Sequence, residues 1–515
     1  MSASREKKQR QGVAPSDKNA KARSEQAAYK RKVRTYTAIG VVVVILVAAL
    51  LTWNSGFFQR RATAATIGDY NLTVSELSYY YNGVRSVYAN YGIIDNTKAD
   101  NDQMYNADEG QTYRDYFLES ALSQAQTTKA RYDAALEAGY TLDDVQEDLD
   151  AEIQSVKDAA SSGLYSYSAY LKNMYGRYMT VGTFEDLVAQ GLLATKYYND
   201  TLEQTSDGFT DEDLNTYYQE HKDDVDTFEY SYLYFKADDV EDTDAEGNTL
   251  SNDEVSKLKE EAMAAAKTKA DEALADYQGG TSVAKLIAQT SPTDSKDHTT
   301  VVGTSTLSSI YKDELLELDQ DAAVIVENAD AGYYLVINHG RYQNTETPAT
   351  IRDILIQAEA TTDEDGNTSA PSQEAWDAAK AKADEVMAKW EESDKTAEAF
   401  GKLAEEYSDS STASNGGLTT GVTSGTLSDD RESWLFEEDR TAGDVTCVQH
   451  QDNPDSSTAY WGYHITYFQE WEEESWKQTV RSALTSDAMT EWSDNLLGGD
   501  AYAINQADGA KYFGF

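Results

Sequence analysis

The amino-acid sequence predicts an α+β fold of several domains, preceded by one N-terminal transmembrane helix. Three observations lead to this prediction. An uncharged apolar run separates a basic N-terminus from a strongly acidic remainder. Amphipathic helical patterns then continue to about residue 221, and a unit of strands and two helices follows twice. At 515 residues the chain is long enough for several domains, each with its own core.

Charged residues are segregated along the chain. Residues 1–34 carry eleven Lys and Arg against three Asp and Glu, a net charge of +8, whereas the remainder has a net charge of −56. Residues 35–59 carry no charge, and their centre, residues 38–51, is continuously apolar. Such a run spans a bilayer, and basic residues accumulate on its cytoplasmic side. We therefore expect a cytoplasmic tail over 1–36, a single-pass anchor in the cell membrane over 37–58, and an extracytoplasmic remainder.

A cleaved signal peptide is the alternative interpretation, because Ala62-Thr63-Ala64 matches a small-residue cleavage site. The apolar run is long for such a peptide, and Phe57-Phe58-Gln59-Arg60-Arg61 separates it from that site. The one cysteine, Cys447, predicts neither an intramolecular disulfide nor an N-terminal lipid attachment. The acidic outer region repels polyanions, so no nucleic acid is expected as a partner.

Residues 64–226 are predicted to form an all-α domain after a short strand. Thr73 with Glu76 has the spacing of a capping box at a helix start. Long amphipathic stretches follow, among them 113–139 and 183–204, and many of their apolar positions are tyrosine. The pattern predicts a tyrosine-faced helical core. An exposed aromatic surface that holds unfolded peptides is the alternative, since tyrosine offers a large contact area.

Residues 227–345 and 346–472 are predicted to be two copies of one α+β module. Each copy contains a first strand, an acidic turn, two helices and closing strands, and corresponding segments are offset by 113 to 130 residues. Such nearly constant offsets indicate a duplication. In the remaining segment, 473–515, residues 476–497 form an amphipathic pattern. This lone helix needs a partner, and we expect it to pack back on the N-terminal helices.

The segments TIGDYNLTVSELSYYYN, FGKLAEEYSDSSTASNGG and GYHITYF, in this order and spacing, resemble the parvulin-type foldases. These are membrane-attached, extracytoplasmic proteins of the PrsA/SurA type, with a SurA-like N-terminal chaperone domain. The resemblance covers residues 64–498. It implies a peptidyl-prolyl cis-trans isomerase fold in the second repeat and a degenerate, inactive copy in the first, where Tyr334 replaces a histidine. The implied partners are unfolded or newly exported polypeptides with proline-containing segments.

The resemblance also assigns the residues of an active groove. The implied catalytic positions fall on His464, Asp353, Ser410 and Asp409, and the implied substrate-binding positions on Leu427, Trp434 and Phe436. His464 in Gly462-Tyr463-His464 matches the family motif. Asp353 stands where the family has a first-strand histidine, and Leu418 where an acid follows Gly416-Gly417.

Proline isomerisation needs no metal, nucleophile or cofactor, and none is expected. Rotation about X-Pro meets a barrier of roughly 18–20 kcal/mol, and a catalyst has only to favour the twisted amide. Because Asp353 lies on an apolar strand, its carboxylate must either have a hydrogen-bonding or charged partner or be partly exposed to solvent. A charged pair with His464 either preserves the groove or ends its activity, and His464 as a plain buried residue is the competing interpretation.

Two other functions and one metal site remain as alternatives. A holdase chaperone whose isomerase domains are only scaffolds is the second hypothesis, and a structural or adhesive surface protein is the third. Asp363, Asp365, Asn367 and Glu374 match calcium-loop positions, but Thr368 stands where that loop needs glycine. An acidic turn explains this segment better than a calcium site does.

Overall fold

The computed structural model describes residues 17–243, 248–362, 368–437, 440–451 and 460–507. These residues form two compact units, the first made of residues up to 205 and from 487 onward, the second of residues 206–486. The basic residues before position 17 and the calcium-loop positions Asp363, Asp365 and Asn367 lie outside the described residues. The domain boundaries that the sequence predicts remain predictions.

The first unit begins with one long helix, α1 (Asp17–Asn54). Its part Glu25–Asn54 is long and apolar enough to cross a membrane by length and composition. The helix begins 20 residues before the predicted anchor, which starts at residue 37, and it ends at Asn54, before the predicted end of the anchor at residue 58. Phe57 and Phe58 therefore lie in the following turn. The remaining elements of this part are β1 (Thr63–Ile67), β2 (Tyr70–Thr73), α2 (Val74–Asn90), β3 (Met104–Asn106), β4 (Gln111–Thr112), α3 (Tyr113–Glu137), α4 (Gln146–Ser162), α5 (Tyr167–Tyr175) and α6 (Val181–Asp207).

The start of α2 shows why a helix forms there. The Thr73 side chain accepts a hydrogen bond from the Glu76 backbone N–H, and the Glu76 carboxylate accepts one from the Thr73 N–H. Both donors belong to the first turn and have no partner within the helix. The predicted capping box is therefore present.

The core between α2 and α3 is rich in tyrosine. Tyr81 and Phe117 are fully buried and meet edge to face at 5.7 Å between ring centroids. Tyr88, Tyr113 and Tyr116 are partly buried and pack against the same cluster. Tyrosine rings supply most of the aromatic area here, so this part of the helical region has the predicted tyrosine-faced core.

The second unit starts with two short helices and continues with two similar modules. The helices are α7 (Asp211–Glu220) and α8 (Lys222–Val225). The first module contains β5 (Thr227–Lys236), α9 (Asn252–Gln278), α10 (Val283–Thr290), β6 (Asp294–Val302), α11 (Lys312–Glu317), β7 (Ala323–Asn328) and β8 (Gly332–Tyr342). The second contains β9 (Ala349–Gln357), β10 (Thr361–Thr362), β11 (Thr368–Ser369), α12 (Gln373–Glu392), α13 (Ala397–Tyr407), β12 (Leu418–Val422), α14 (Asp429–Leu435), β13 (Val445–Gln451) and β14 (Trp461–Trp471).

The two modules share one sheet topology. Each has a four-stranded antiparallel sheet, in the order β6-β5-β8-β7 for the first module and β12-β9-β14-β13 for the second. Both central strand pairs contain a glycine without room for a side chain. A Cβ on Gly332 would lie 2.2 Å from the Phe235 carbonyl oxygen, and one on Gly462 would lie 2.3 Å from that of Ile356. Shared strand order and shared close approach support the duplication that the sequence predicts.

The last helix, α15 (Ser475–Leu497), has residues in both units. In the second unit, Trp476 and Val480 are buried with apolar residues of α7 and α8. In the first unit, the Trp492 ring lies about 6 Å from the rings of Tyr197 and Tyr198 on α6. Beyond it, β15 (Ile504–Gln506) pairs antiparallel with β1. Helices are therefore the partners along both parts of α15.

Candidate isomerase groove

The sheet of the second module has one face against helices and another that carries the candidate groove. Side chains alternate between the faces along each strand. Ile354 and Ile465 belong to the core shared with α12 and α13. Asp353, His464 and Thr466 point to the opposite face, where α14 packs. The register places Asp353 opposite Thr466, and His464 lies two residue pairs away, opposite Leu355, with its side chain on the same face.

A buried polar network joins five side chains on this face. His464 Nδ1 lies 2.6 Å from Asp353 Oδ2, and the Thr466 hydroxyl donates to Asp353 Oδ1 at 2.8 Å. The Arg431 guanidinium, from α14, lies 3.0 Å from the same Oδ1. On the other side of the imidazole, the Tyr460 hydroxyl is 3.1 Å from Nε2. His464 is 4% exposed, Asp353 7% and Arg431 8%.

The electrostatics of the network favour an ionised Asp353. Burial raises the pKa of this carboxyl, but the hydrogen bond from His464 and the charge of Arg431 outweigh burial, so its pKa is lowered overall. An ionised carboxylate only accepts hydrogen bonds, so the Nδ1–H of His464 is the donor. In a neutral imidazole Nε2 then accepts a hydrogen bond from Tyr460. Asp353 thus fixes the orientation of the ring.

An apolar shelf lies on the same face of the sheet. Leu427, Trp434 and Phe436 are partly buried and pack against one apolar cluster, which consists of Ala349, Ile351, Val422, Leu435 and Phe468. Ile351 lies two residues before Asp353 on β9, and Phe468 lies two residues after Thr466 on β14. Because side chains alternate along a strand, both point to the face that carries the polar network. The three residues that the resemblance assigns to substrate binding therefore lie on the same face of the sheet as Asp353 and His464, toward the Phe468 side of the polar network.

Ser410 and Asp409 have other partners. The Ser410 hydroxyl lies 3.0 Å from the Thr412 hydroxyl. The Asp409 carboxylate accepts a hydrogen bond from the Gln357 backbone N–H at 2.9 Å, and its own N–H donates to the Leu355 carbonyl. Asp409 therefore satisfies the backbone at the end of β9. The contacts of Asp409 hold the end of the strand. The assignment of Ser410 and Asp409 to the catalytic groove remains a prediction.

The Gly416-Gly417 loop contacts the middle of β9. The Asp353 N–H donates to the Gly417 carbonyl at 2.9 Å. Gly417 has a φ of +70°, and a Cβ there would lie 2.4 Å from the Asp353 carbonyl oxygen. The glycine thus permits a close approach that positions Asp353. Leu418, where the family has an acid, begins β12 opposite Arg352.

Arg431, Thr466 and Tyr460 are site residues that sequence reasoning missed. Arg431 is the one cation in the acidic stretch SDDRESWLF, residues 428–436. A lone arginine among acids was the available signal, because a buried carboxylate such as Asp353 needs a positive or hydrogen-bonding partner. Its spacing from Asp353 in sequence gives no indication of contact. Thr466 lies within the GYHITYF motif, two residues after His464, and Tyr460 lies two residues before that motif.

The corresponding face of the first module is lined with tyrosine. Tyr232 and Tyr334 occupy the register positions of Asp353 and His464. The Tyr334 ring stacks on Tyr234 at 4.4 Å between centroids and lies 5.3 Å from the Tyr311 ring. The polar pair of the second module is thus replaced by an aromatic cluster, at the position where the sequence predicts loss of the histidine.

Residues 354–470 match the PPIC-type PPIASE domain of the rotamase family. The class of this domain is therefore the parvulin-type rotamase, in agreement with the resemblance in the sequence. Within the described ranges, no group of three or more His, Cys, Asp or Glu side chains is placed to hold a metal ion.

Over most of its length the chain is also similar to solved PrsA structures. PrsA from Bacillus subtilis is 12% identical, with 78% of this chain and 91% of that chain covered and a TM-score of 0.24. The foldase protein PrsA from Streptococcus pneumoniae is 11% identical, with 78% and 93% covered and a TM-score of 0.23. Peptidylprolyl isomerase (PrsA) from Bacillus anthracis is 11% identical, with 73% and 93% covered and a TM-score of 0.16. No curated protein matches the chain significantly.

Proposed function

We propose that this chain is a membrane-anchored, extracytoplasmic foldase that assists exported proteins. In this proposal residues 346–472 catalyse peptidyl-prolyl cis-trans isomerisation, and residues 64–226 hold unfolded clients. The observation that carries the proposal is the Asp353–His464 pair, on the same face of the sheet as an apolar shelf, in a module whose residues 354–470 match the rotamase family. One apolar N-terminal helix supports the anchor.

The proposed chemistry uses both parts of the groove. Leu427 and Phe436 grip the proline ring, because an apolar ring gains free energy on leaving water. The amide loses its conjugation as it twists, and the charge on its carbonyl oxygen changes with it. His464, oriented by Asp353, sets the polarity around that carbonyl. A group that favours the twisted form over both planar forms accelerates both directions equally.

The test is a protease-free isomerisation assay with a proline peptide and the full chain in detergent. His464→Ala should reduce the rate. Asp353→His should raise it by restoring two imidazoles and removing a charge, provided that it is combined with Arg431→Met, so that no buried guanidinium is left without its carboxylate. Tyr334→Ala is the matched control, since Tyr334 occupies the same register position in the first module. A wild-type rate equal to background, with no gain from Asp353→His, would exclude the enzymatic proposal.

A holdase without isomerase activity is the second candidate function. It is favoured by the ion pair of Arg431 with Asp353 and by the 4% exposure of His464, which leave little of the network open to a client. In that case His464→Ala should leave the suppression of client aggregation intact and lower only the stability of its module. Both candidates expect the suppression of aggregation to survive this substitution, so the isomerisation rates of the wild type and of His464→Ala separate them.

A further inference from the structure

The apolar shelf of the second module continues onto a tryptophan at the end of β14. Trp471 is 38% exposed, and it is the one exposed large hydrophobic side chain among the described residues of this module. Its ring centroid lies 5.0 Å from that of Phe468 and 5.8 Å from that of Phe436. Phe468 belongs to the buried cluster beneath the shelf, and Phe436 is one of the partly buried residues on it. Trp471 therefore extends the shelf toward solvent.

A β-bulge places Trp471 on this face of the sheet. The pairing of β14 with β9 shifts between Phe468 and Glu470. Before the shift Phe468 lies opposite Ile351, and after it Trp471 lies opposite Ala349. Without a bulge, residues three apart on a strand point to opposite faces. The extra residue reverses the alternation, as bulges do when they re-aim a side chain, so Trp471 and Phe468 share a face.

The Trp471 ring has no cation from this chain over its face, unlike two other tryptophans of the module. The Lys395 ammonium lies 4.9 Å from the centroid of the Trp390 ring. The Arg440 guanidinium lies 4.1 Å from that of Trp434. Within the described ranges, no lysine or arginine side chain lies over Trp471 in this way. Tryptophan attracts cations more strongly than the other aromatic side chains do, so this ring is suited to a cation from another molecule.

The charge around the shelf decides between an apolar and a cationic occupant. Residues 427–437 and 468–474 contain eight Asp and Glu against one Arg, a net charge of −7. The arginine, Arg431, is already paired with Asp353. Glu470, next to Trp471, is exposed. Exposed charges act over about 8 Å at physiological salt, so a negative potential covers the shelf and favours a cationic side chain over a neutral one.

The distance between two rings defines where this cation lies in a client. The proposed function places the proline ring against Leu427 and Phe436. In an extended peptide, side chains two residues apart point the same way and are about 6.5 Å apart. The Phe436 and Trp471 centroids are 5.8 Å apart. A side chain two residues from the proline therefore reaches Trp471.

We propose that Trp471 binds a lysine or arginine side chain two residues from the proline of the client, and so selects basic proline-containing segments. This inference rests on the proposed isomerase function and names its preferred substrates. The methylene stem of the client residue packs on the indole, and its charge interacts with the ring face and with the surrounding carboxylates. The contact adds binding away from the reacting amide, so it acts mainly on KM.

Protease-free isomerisation assays with matched proline peptides and the full chain in detergent test the proposal. The peptides carry lysine, norleucine, glutamate or phenylalanine at one position, two residues before the proline in one series and two after it in the other. Norleucine has an apolar stem like that of lysine but no charge. Lysine should raise kcat/KM over norleucine by about two- to fivefold in one of the series, mainly through KM. Glutamate should lower it, and the gain from lysine should shrink as salt screens the charges.

The variants separate the ring from the general charge of the protein. Trp471→Leu keeps an apolar side chain beside Phe468 but removes the ring, and should bring the ratio of lysine to norleucine close to one. Trp471→Phe keeps an aromatic face and should retain part of the gain, which a merely structural role does not predict. Glu405→Gln with Glu406→Gln removes two exposed charges on α13, on the opposite face of the sheet, and should leave the ratio unchanged.

Failure of the isomerase function and failure of this inference give different results. A wild-type rate at background with every peptide would exclude the isomerase function alone. Fluorescence anisotropy of the same peptides, labelled and bound to the full chain, then measures the preference for lysine without turnover. Equal affinity for lysine and norleucine peptides in both series would overturn the inference. A gain from lysine that survives Trp471→Leu, or a larger gain from phenylalanine than from lysine, would overturn it as well.

Discussion

Asp353→Asn should strongly destabilise the second module at neutral pH. The substitution keeps the shape of the side chain but removes the charge that Arg431 and His464 contact. Arg431 is 8% exposed, and its Nε already has no hydrogen-bond partner among the described residues. Removal of one partner from a buried ion pair costs about 3–5 kcal/mol, because the other charge stays buried without compensation. We expect a loss of that order in the free energy of unfolding of this module.

The loss should depend on pH in a defined direction. The folded pKa of Asp353 lies below its unfolded value of about 3.9. A carboxyl of this kind contributes stability that is complete above the unfolded pKa and disappears as the pH falls through the folded pKa. The difference between wild type and Asp353→Asn should therefore be full at pH 7 and should shrink below about pH 4.

The free energy of unfolding of this module can be measured within the whole chain. The chain is unfolded in urea, and pulsed hydrogen exchange is followed in the peptide fragment that contains β14. Arg431→Met supplies the double-mutant cycle: the combined variant should lose less than the sum of the two single losses, since no unpaired charge remains. Thr466→Val removes a neutral donor to the same carboxylate and is the matched control, with an expected loss of about 1 kcal/mol. Additive losses, or a difference that stays constant down to pH 2, would refute the reasoning.

Three further outcomes are expected. Trp476→Asp should increase hydrogen exchange over residues 211–225, because the Trp476 ring is buried against α7 and α8; unchanged exchange there would mean that the helix docks elsewhere. Gly417→Ala should destabilise the second module more than Gly421→Ala, measured by the same urea method, since both glycines have positive φ but only Gly417 would clash with backbone. Protease added outside intact cells should digest the chain beyond about residue 60 and leave the basic tail protected, whereas a released product that starts near Ala65 would indicate signal-peptide cleavage.

Local patterns predicted much of the fold. The capping box at Thr73 and Glu76 fixes the start of α2 through contacts within four residues, so the sequence is sufficient there. The two modules were visible because a duplicated fold repeats its strand and helix patterns in the same order. The end of α1 was less well predicted: the apolar pattern continues through Phe57 and Phe58, but the helix stops at Asn54. Apolar composition alone does not show where a helix terminates.

The candidate groove was predictable only where the motif extends to it. His464 and Asp353 were found because each sits on a strand with a recognisable pattern. Arg431 was missed because its contact with Asp353 depends on how α14 folds over the sheet, and no periodicity encodes that packing. The burial of His464 was equally hidden, since exposure is decided by elements distant in sequence.

Gly332 and Gly462 affect how the same sequence motif should be interpreted in other chains that contain such modules. Each is required because a neighbouring strand carbonyl occupies the space of a side chain. The requirement is the same in the module with His464 and in the module with Tyr334. A motif search that scores the glycine and the aromatic residue after it will therefore find both copies. A match at these two positions indicates how the strands pack and does not indicate which kind of groove is present. The residue two positions after the glycine is the one that distinguishes a polar groove from an aromatic one.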